Sequence, residues 1–126
     1  MKKKIINTAN APAPIGPYNQ AIMIDDILYI SGQVCIDPVT NNLKNKDLQE
    51  ETHQVMANLN AILQAAGMSF SNVVKTTIFL TDMSRFSELN EIYGKYFDGD
   101  FPTRETVQVS ALPKFVNVEI SMIAAR

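Results

Sequence analysis

Soft metal ligands are almost missing from this sequence. Its 126 residues hold one cysteine, Cys35, and one histidine, His53. Zinc sites draw three or four ligands largely from those residue types, so no metal centre is expected. A lone cysteine cannot form an intrachain disulfide, and such sparing use points to a reducing, cytoplasmic location. Glycine is scarce, with five residues, and no Gly-rich phosphate loop or nucleophile elbow occurs. Excess positive charge is lacking too. Eleven Lys and Arg against thirteen Asp and Glu leave a net charge of −2, whereas general nucleic-acid binding needs clustered cations. The one basic cluster, Lys2-Lys3-Lys4, reads as a solubilising terminus. No run approaches the about 20 apolar residues of a membrane span. Polar residues 7–10, then Pro12 and Pro14, follow the lysines where a secretory signal would need an apolar stretch.

What is present suffices for one domain over residues 1–126. Apolar residues make up 46% of the chain, enough for a single core. Residues 20–24 and 27–31 are β-rich runs separated by Asp25-Asp26, a tight hairpin turn. Pro38 and Asn41-Asn42 mark a loop. Val55, Met56, Leu59, Ile62, Leu63 and Ala66 then recur at helical spacing, with Asp47 and Glu50 as the N-terminal cap and Gly67 as the stop. His53 falls off this stripe, on the helix surface. Residues 73–81 form a strand, and Asp82-Met83-Ser84 initiate a second helix. Phe86, Leu89, Ile92, Tyr93, Tyr96 and Phe97 repeat along it as core positions, up to Gly99. Strands over residues 106–110 and 117–124 complete an α+β fold: a mixed β-sheet with two helices packed on one face.

That architecture leaves a face over. In the last strand Val118, Ile120, Met122 and Ala124 share one side, and Asn117, Glu119, Ser121 and Ile123 the other. The second side also carries Ile27 and Tyr29, and no element remains to cover it. A second copy of the chain covers such a face better than water, so a homo-oligomer is expected.

Few residues stand out as chemistry. Cys35, in an apolar stretch, reads as an inert buried thiol. Arg104 follows Phe101-Pro102-Thr103, where a rigid loop enters a strand; it reads as a surface arginine or as a planar fork for a carboxylate. Glu119 is a carboxylate in mid-strand, an ion-pair partner or a functional group. Gly32, in Ser31-Gly32-Gln33, permits either a close backbone approach or a β-bulge. Ile15-Gly16-Pro17-Tyr18 is a rigid turn presenting an aromatic ring.

Taken in order, these segments resemble the reactive-intermediate deaminase family, RidA/YjgF. The resemblance spans about residues 5–126 and adds Val74-Lys75-Thr76-Thr77, Asn90-Glu91-Ile92-Tyr93, Ala111-Leu112-Pro113 and Val118-Glu119-Ile120. It implies a chorismate-mutase-like homotrimer with clefts between subunits. It also implies hydrolysis of small 2-imino acids, formed from enamines that pyridoxal-phosphate enzymes release, to 2-keto acids and ammonia without a cofactor. By position, Arg104 would hold the substrate carboxylate and Glu119 would orient the attacking water. Ser31 and Gly32 would line the pocket near the imine, Tyr18 and Asn90 would shape its wall, and the Thr106 N–H would donate. The chain departs from the family twice: Thr106 stands where many members have cysteine, and Ser121 where a second glutamate is frequent. Two other readings compete. One is a non-catalytic trimeric module that binds or senses small carboxylates. The other, an endoribonuclease, fits poorly with the acidic charge balance.

Overall fold

The computed structural model describes residues 2–126, folded as eight principal elements. These are β1 (Lys3–Ile6), β2 (Ala21–Ile24), β3 (Ile27–Gln33), α1 (Leu48–Ala65), β4 (Val73–Leu80), α2 (Phe86–Gly94), β5 (Thr103–Gln108) and β6 (Val118–Ala125). The strands form one mixed sheet in the order β1-β2-β3-β6-β4-β5, in which only β4 and β5 run parallel. No described helix is long and apolar enough to cross a membrane.

Local chemistry accounts for the boundaries of α1. The Asp47 carboxylate accepts the Glu50 N–H at 2.7 Å. At the other end Gly67 takes φ +73°. Its N–H donates to Gln64 O, and the Met68 N–H donates to Leu63 O, closing the last turn in a Schellman arrangement. The stripe Val55, Met56, Leu59, Ile62 and Leu63 is fully buried. It packs against Val118, Ile120, Met122 and Ala124, which line the helix-facing side of β6. Asp25-Asp26 makes the expected two-residue turn, with Ile24 paired to Ile27 and Asp25 at φ 52°.

Three boundaries differ from the sequence expectation. Lys3–Ile6 is not a free terminus but an edge strand paired with β2. Its lysines protect that edge, and Ile6 reaches the core. The α-helical part of α2 ends at Gly94. Beyond it Lys95, Tyr96 and Phe97 donate to carbonyls three residues back, a tighter winding that sets Tyr96 and Phe97 against Phe70, each with ring centroids 5.6 Å away. Gly99, at φ +81°, serves the following turn and not the helix end. Finally, β5 begins at Thr103, three residues early, because the parallel ladder with β4 starts at the pair Lys75–Thr103. Edge position tolerates its polar Thr-Arg-Glu-Thr run, which lacks the apolar alternation of a strand.

The side of the sheet away from the helices is open and largely apolar. Ile5, Ile22, Tyr29 and Ile123 lie in one row of paired residues across β1, β2, β3 and β6. Ile27, Tyr29 and Val107 are each 40–46% exposed on this side.

Candidate active site

Arg104 lies on the helix side of the sheet. The β4–β5 ladder sets it directly across from Thr76, which is fully buried. Its guanidinium carbon sits 5.2 Å from the ring centre of Tyr93 and 5.5 Å from that of Phe86. None of the ion pairs among the described residues involves Arg104. Its charge is stacked on aromatic faces and lacks a carboxylate. An open hollow of about 470 Å³ adjoins it, lined by Asn90, Tyr93, Gly94, Phe101, Pro102 and Arg104. Two side-chain oxygens on the same side, Asn90 Oδ1 and Thr106 Oγ1, are buried without a hydrogen-bond partner. The Tyr93 hydroxyl donates to Thr76 Oγ1 at 2.9 Å. Burial pushes the Tyr93 phenol above its ordinary pKa, opposed by the Thr76 bond and the Arg104 charge.

Glu119 lies on the other side. In β6 it pairs with Phe79 and points away from the helices, as alternation from Val118 and Ile120 requires. Burial pushes its carboxyl group above the usual pKa. The carboxylate rests against Gly32. A Cβ built on that glycine would stand 2.5 Å from Glu119 Oε2 and 2.7 Å from its Cδ. Gly32 thus serves both a close approach and a bulge. Ile30 pairs with Met122 but Gln33 with Ile120, so Ser31 and Gly32 together oppose the single residue Ser121. Ser31 Oγ donates to Asn19 O at 2.6 Å, and the Tyr18 hydroxyl accepts the Ile15 N–H at 3.2 Å. Tyr18, Asn19, Tyr29 and Ser31 belong to a second hollow of about 440 Å³.

One chain therefore brings the site residues together in two groups and keeps the groups apart. Arg104, Asn90 and Thr106 form one; Glu119, Gly32, Ser31 and Tyr18 form the other. The sheet lies between Arg104 and Glu119, whose β4 partners, Thr76 and Phe79, are three residues apart.

The sequence reading placed Phe86 and Tyr93 in the core without seeing that they carry Arg104. The available signal was their spacing of seven, two turns on one helix face. His53 is half-buried and shares a hydrogen bond with the Tyr96 hydroxyl, away from both groups and not free on the helix surface. Cys35 is fully buried, and desolvation pushes its thiol up to about 11, consistent with the inert reading.

Fold and site together define a class: small α+β domains whose mixed sheet is backed by helices on one face, with an anion-ready arginine at its edge. The family model described as Endoribonuclease L-PSP matches residues 8–126. The mouse protein 2-iminobutanoate/2-iminopropanoate deaminase is 50% identical over 124 residues, covering 98% of this chain and 92% of the relative. A RutC family protein of Pyrococcus horikoshii is 48% identical over 122 residues, 97% of each chain. The solved structure of E. coli TdcF with bound serine superposes with a TM-score of 0.94 at 40% identity, covering 98% of both chains. The chain belongs to the RidA/YjgF family.

Proposed function

We propose that this protein hydrolyses small 2-imino acids to 2-keto acids and ammonia, in the cytoplasm, as a homotrimer whose clefts lie between copies. The observation that carries the reading is Arg104: a stacked guanidinium without an ion-pair partner, beside an open hollow. Its in-plane N–H groups form the fork that grips a carboxylate through two parallel bonds. A relative with bound serine supports a small α-carboxylate as the ligand. Mammalian relatives named as imine deaminases support the reaction type.

The chemistry asks little beyond position and one base. A protonated imine is already electrophilic at C2. In the proposed cleft Arg104 of one copy holds the carboxylate, with the Thr106 N–H as a further donor and Asn90 in the wall. Glu119 of a neighbouring copy, with Gly32, Ser31 and Tyr18 around it, holds the water. The water oxygen bonds to C2 as the C=N π pair moves onto nitrogen, while Glu119 accepts a proton from the water. Glu119 returns that proton to the nitrogen of the carbinolamine. The C–N bond then breaks, its electron pair leaves on ammonia, and the hydroxyl gives its proton to Glu119 as the keto group forms. No cofactor is needed in this sequence.

The test is generation of 2-iminopropanoate or 2-iminobutanoate by a coupled enzyme, with imine loss followed with and without protein. Accelerated loss supports the deaminase. Unchanged decay with retained binding of a 2-keto acid would instead identify a carboxylate-binding module. Arg104→Lys keeps the charge and loses the fork. Losing one charge-assisted bond costs about 1.5–3 kcal/mol, so kcat/KM is expected to fall roughly ten- to over a hundredfold. Wild-type kcat/KM in a folded Arg104→Lys protein would remove Arg104 from the site.

A further inference from the structure

We infer that Tyr93, assisted by Phe86, is the positioning residue that aims the Arg104 fork into its hollow. The inference rests on the proposed role of Arg104 as carboxylate anchor. Three contacts close a circuit. Thr76 is the ladder partner of Arg104. Its hydroxyl accepts the Tyr93 O–H at 2.9 Å. The Tyr93 ring lies 5.2 Å from the Arg104 guanidinium carbon, and the Phe86 ring, two turns earlier on the same face of α2, lies 5.5 Å from it. Thr76 and Tyr93 are both buried, so the ring is held on two sides.

The physical need for such a device is specific to arginine on an edge strand. An arginine side chain carries large rotamer freedom, and most fixed arginines lose it to a carboxylate partner. Arg85 and Arg126 follow that pattern, pairing with Glu88 and Asp26. A carboxylate partner on Arg104 would occupy the N–H groups that a substrate needs. Aromatic faces solve the conflict, since the attraction between a cation and a ring quadrupole engages the face of the guanidinium and leaves the in-plane N–H groups free. Tyrosine suits the position better than phenylalanine because its hydroxyl fixes the ring to Thr76.

Two substitutions separate ring from anchor. Tyr93→Phe keeps the aromatic face and gives up the bond to Thr76. Tyr93→Leu keeps an apolar filling and gives up the face. If the ring positions Arg104, KM should rise about 5- to 30-fold in Tyr93→Leu with kcat changed far less, and phenylalanine should restore most of that loss. Thermal stability should divide differently: both variants leave the buried Thr76 hydroxyl unpaired, so much of the stability loss should already appear in Tyr93→Phe, whereas KM should rise chiefly in Tyr93→Leu. A spectroscopic arm needs no substrate. The chain has three arginines, so arginine-selective ¹⁵N labelling gives three Nε–H signals, identified by substituting each in turn. Ring current should shift the Arg104 signal upfield in the wild type and in Tyr93→Phe, and Tyr93→Leu should return it toward the free-arginine position. An unmoved signal, or KM values that track stability alone, would overturn the inference. Absence of imine turnover in the wild type would overturn the deaminase reading and leave the spectroscopic arm to decide the positioning on its own.

Discussion

Glu119 and Gly32 form a pair whose members make sense only together. A carboxylate half-withdrawn from water is a stronger base than an exposed one, and the missing Cβ of Gly32 lets it lie there. Gly32→Ala would place a methyl group only 2.5 Å from Glu119 Oε2. The side chain can swing away, so stability should change little. Activity should drop about a hundredfold, the scale of a misplaced catalytic group, and melting curves beside steady-state kinetics check both halves. The raised pKa of Glu119 also fixes a sign. Because the folded protein binds this proton more tightly than the unfolded chain, the contribution to stability is full below about pH 4.5 and is lost as pH rises through the raised value. Glu119→Gln should therefore melt higher than wild type at pH 8, with the gap closing toward pH 4, while the acid limb of the kcat/KM profile disappears. Equal melting temperatures across that range would mean that burial does not burden this carboxylate.

Between elements, the most consequential link is a carboxylate that no motif advertises. Glu51, fully buried in α1, accepts the N–H groups of Asn117 and Val118 at 2.7 and 2.9 Å and the Asn117 side-chain amide at 2.8 Å. It ties the first helix to the start of β6, immediately before Glu119. The approach to β6 runs through Lys114 and Phe115, both at positive φ, so the chain there depends on being held. Glu51→Ala leaves the buried Val118 N–H without an acceptor, at about 1–3 kcal/mol, and gives up the part-buried bonds to Asn117 besides. The urea midpoint should fall accordingly at an unchanged slope. An unchanged midpoint would show that water replaces the carboxylate. The sequence pattern placed Glu51 one residue past a capping glutamate. Periodicity records which positions face the core; it does not record that a charged one is satisfied there.

At the scale of the molecule, the two groups of site residues lie on opposite sides of one sheet, and the side bearing Glu119 is the one left uncovered. In the proposed homotrimer the apolar row would be covered, and Glu119 of one copy would come toward Arg104 of the next. The expected hydrodynamic mass is three times 14.0 kDa, and Tyr29→Glu on the open side should lower it toward that of one chain. Subunit mixing gives a sharper test. Arg104→Lys and Glu119→Gln proteins, each impaired, should regain about a quarter of wild-type activity when unfolded and refolded together in equal amounts, since roughly one cleft in four then receives both intact residues. No recovery would place both residues in a cleft of one chain or remove one of them from it.

Much of this organisation was written in local sequence. Alternation in β6 assigned Glu119 to the open side before any fold was known, because a strand turns each successive side chain over. Asp47, Gly67 and the Val55–Leu63 stripe set the first helix, because caps and periodicity are properties of neighbouring residues. The order of strands and helices set the layers and the uncovered face. Tertiary structure alone decided the rest. Lys3–Ile6 became a strand because β2 lay beside it, and β5 started early because β4 offered a ladder. Phe86 and Tyr93 came to lie against Arg104 because the fold brings one face of α2 to that residue. Each of these depends on which distant segment lies opposite, and a one-dimensional pattern carries the period of a side chain but not the identity of its neighbour across the fold.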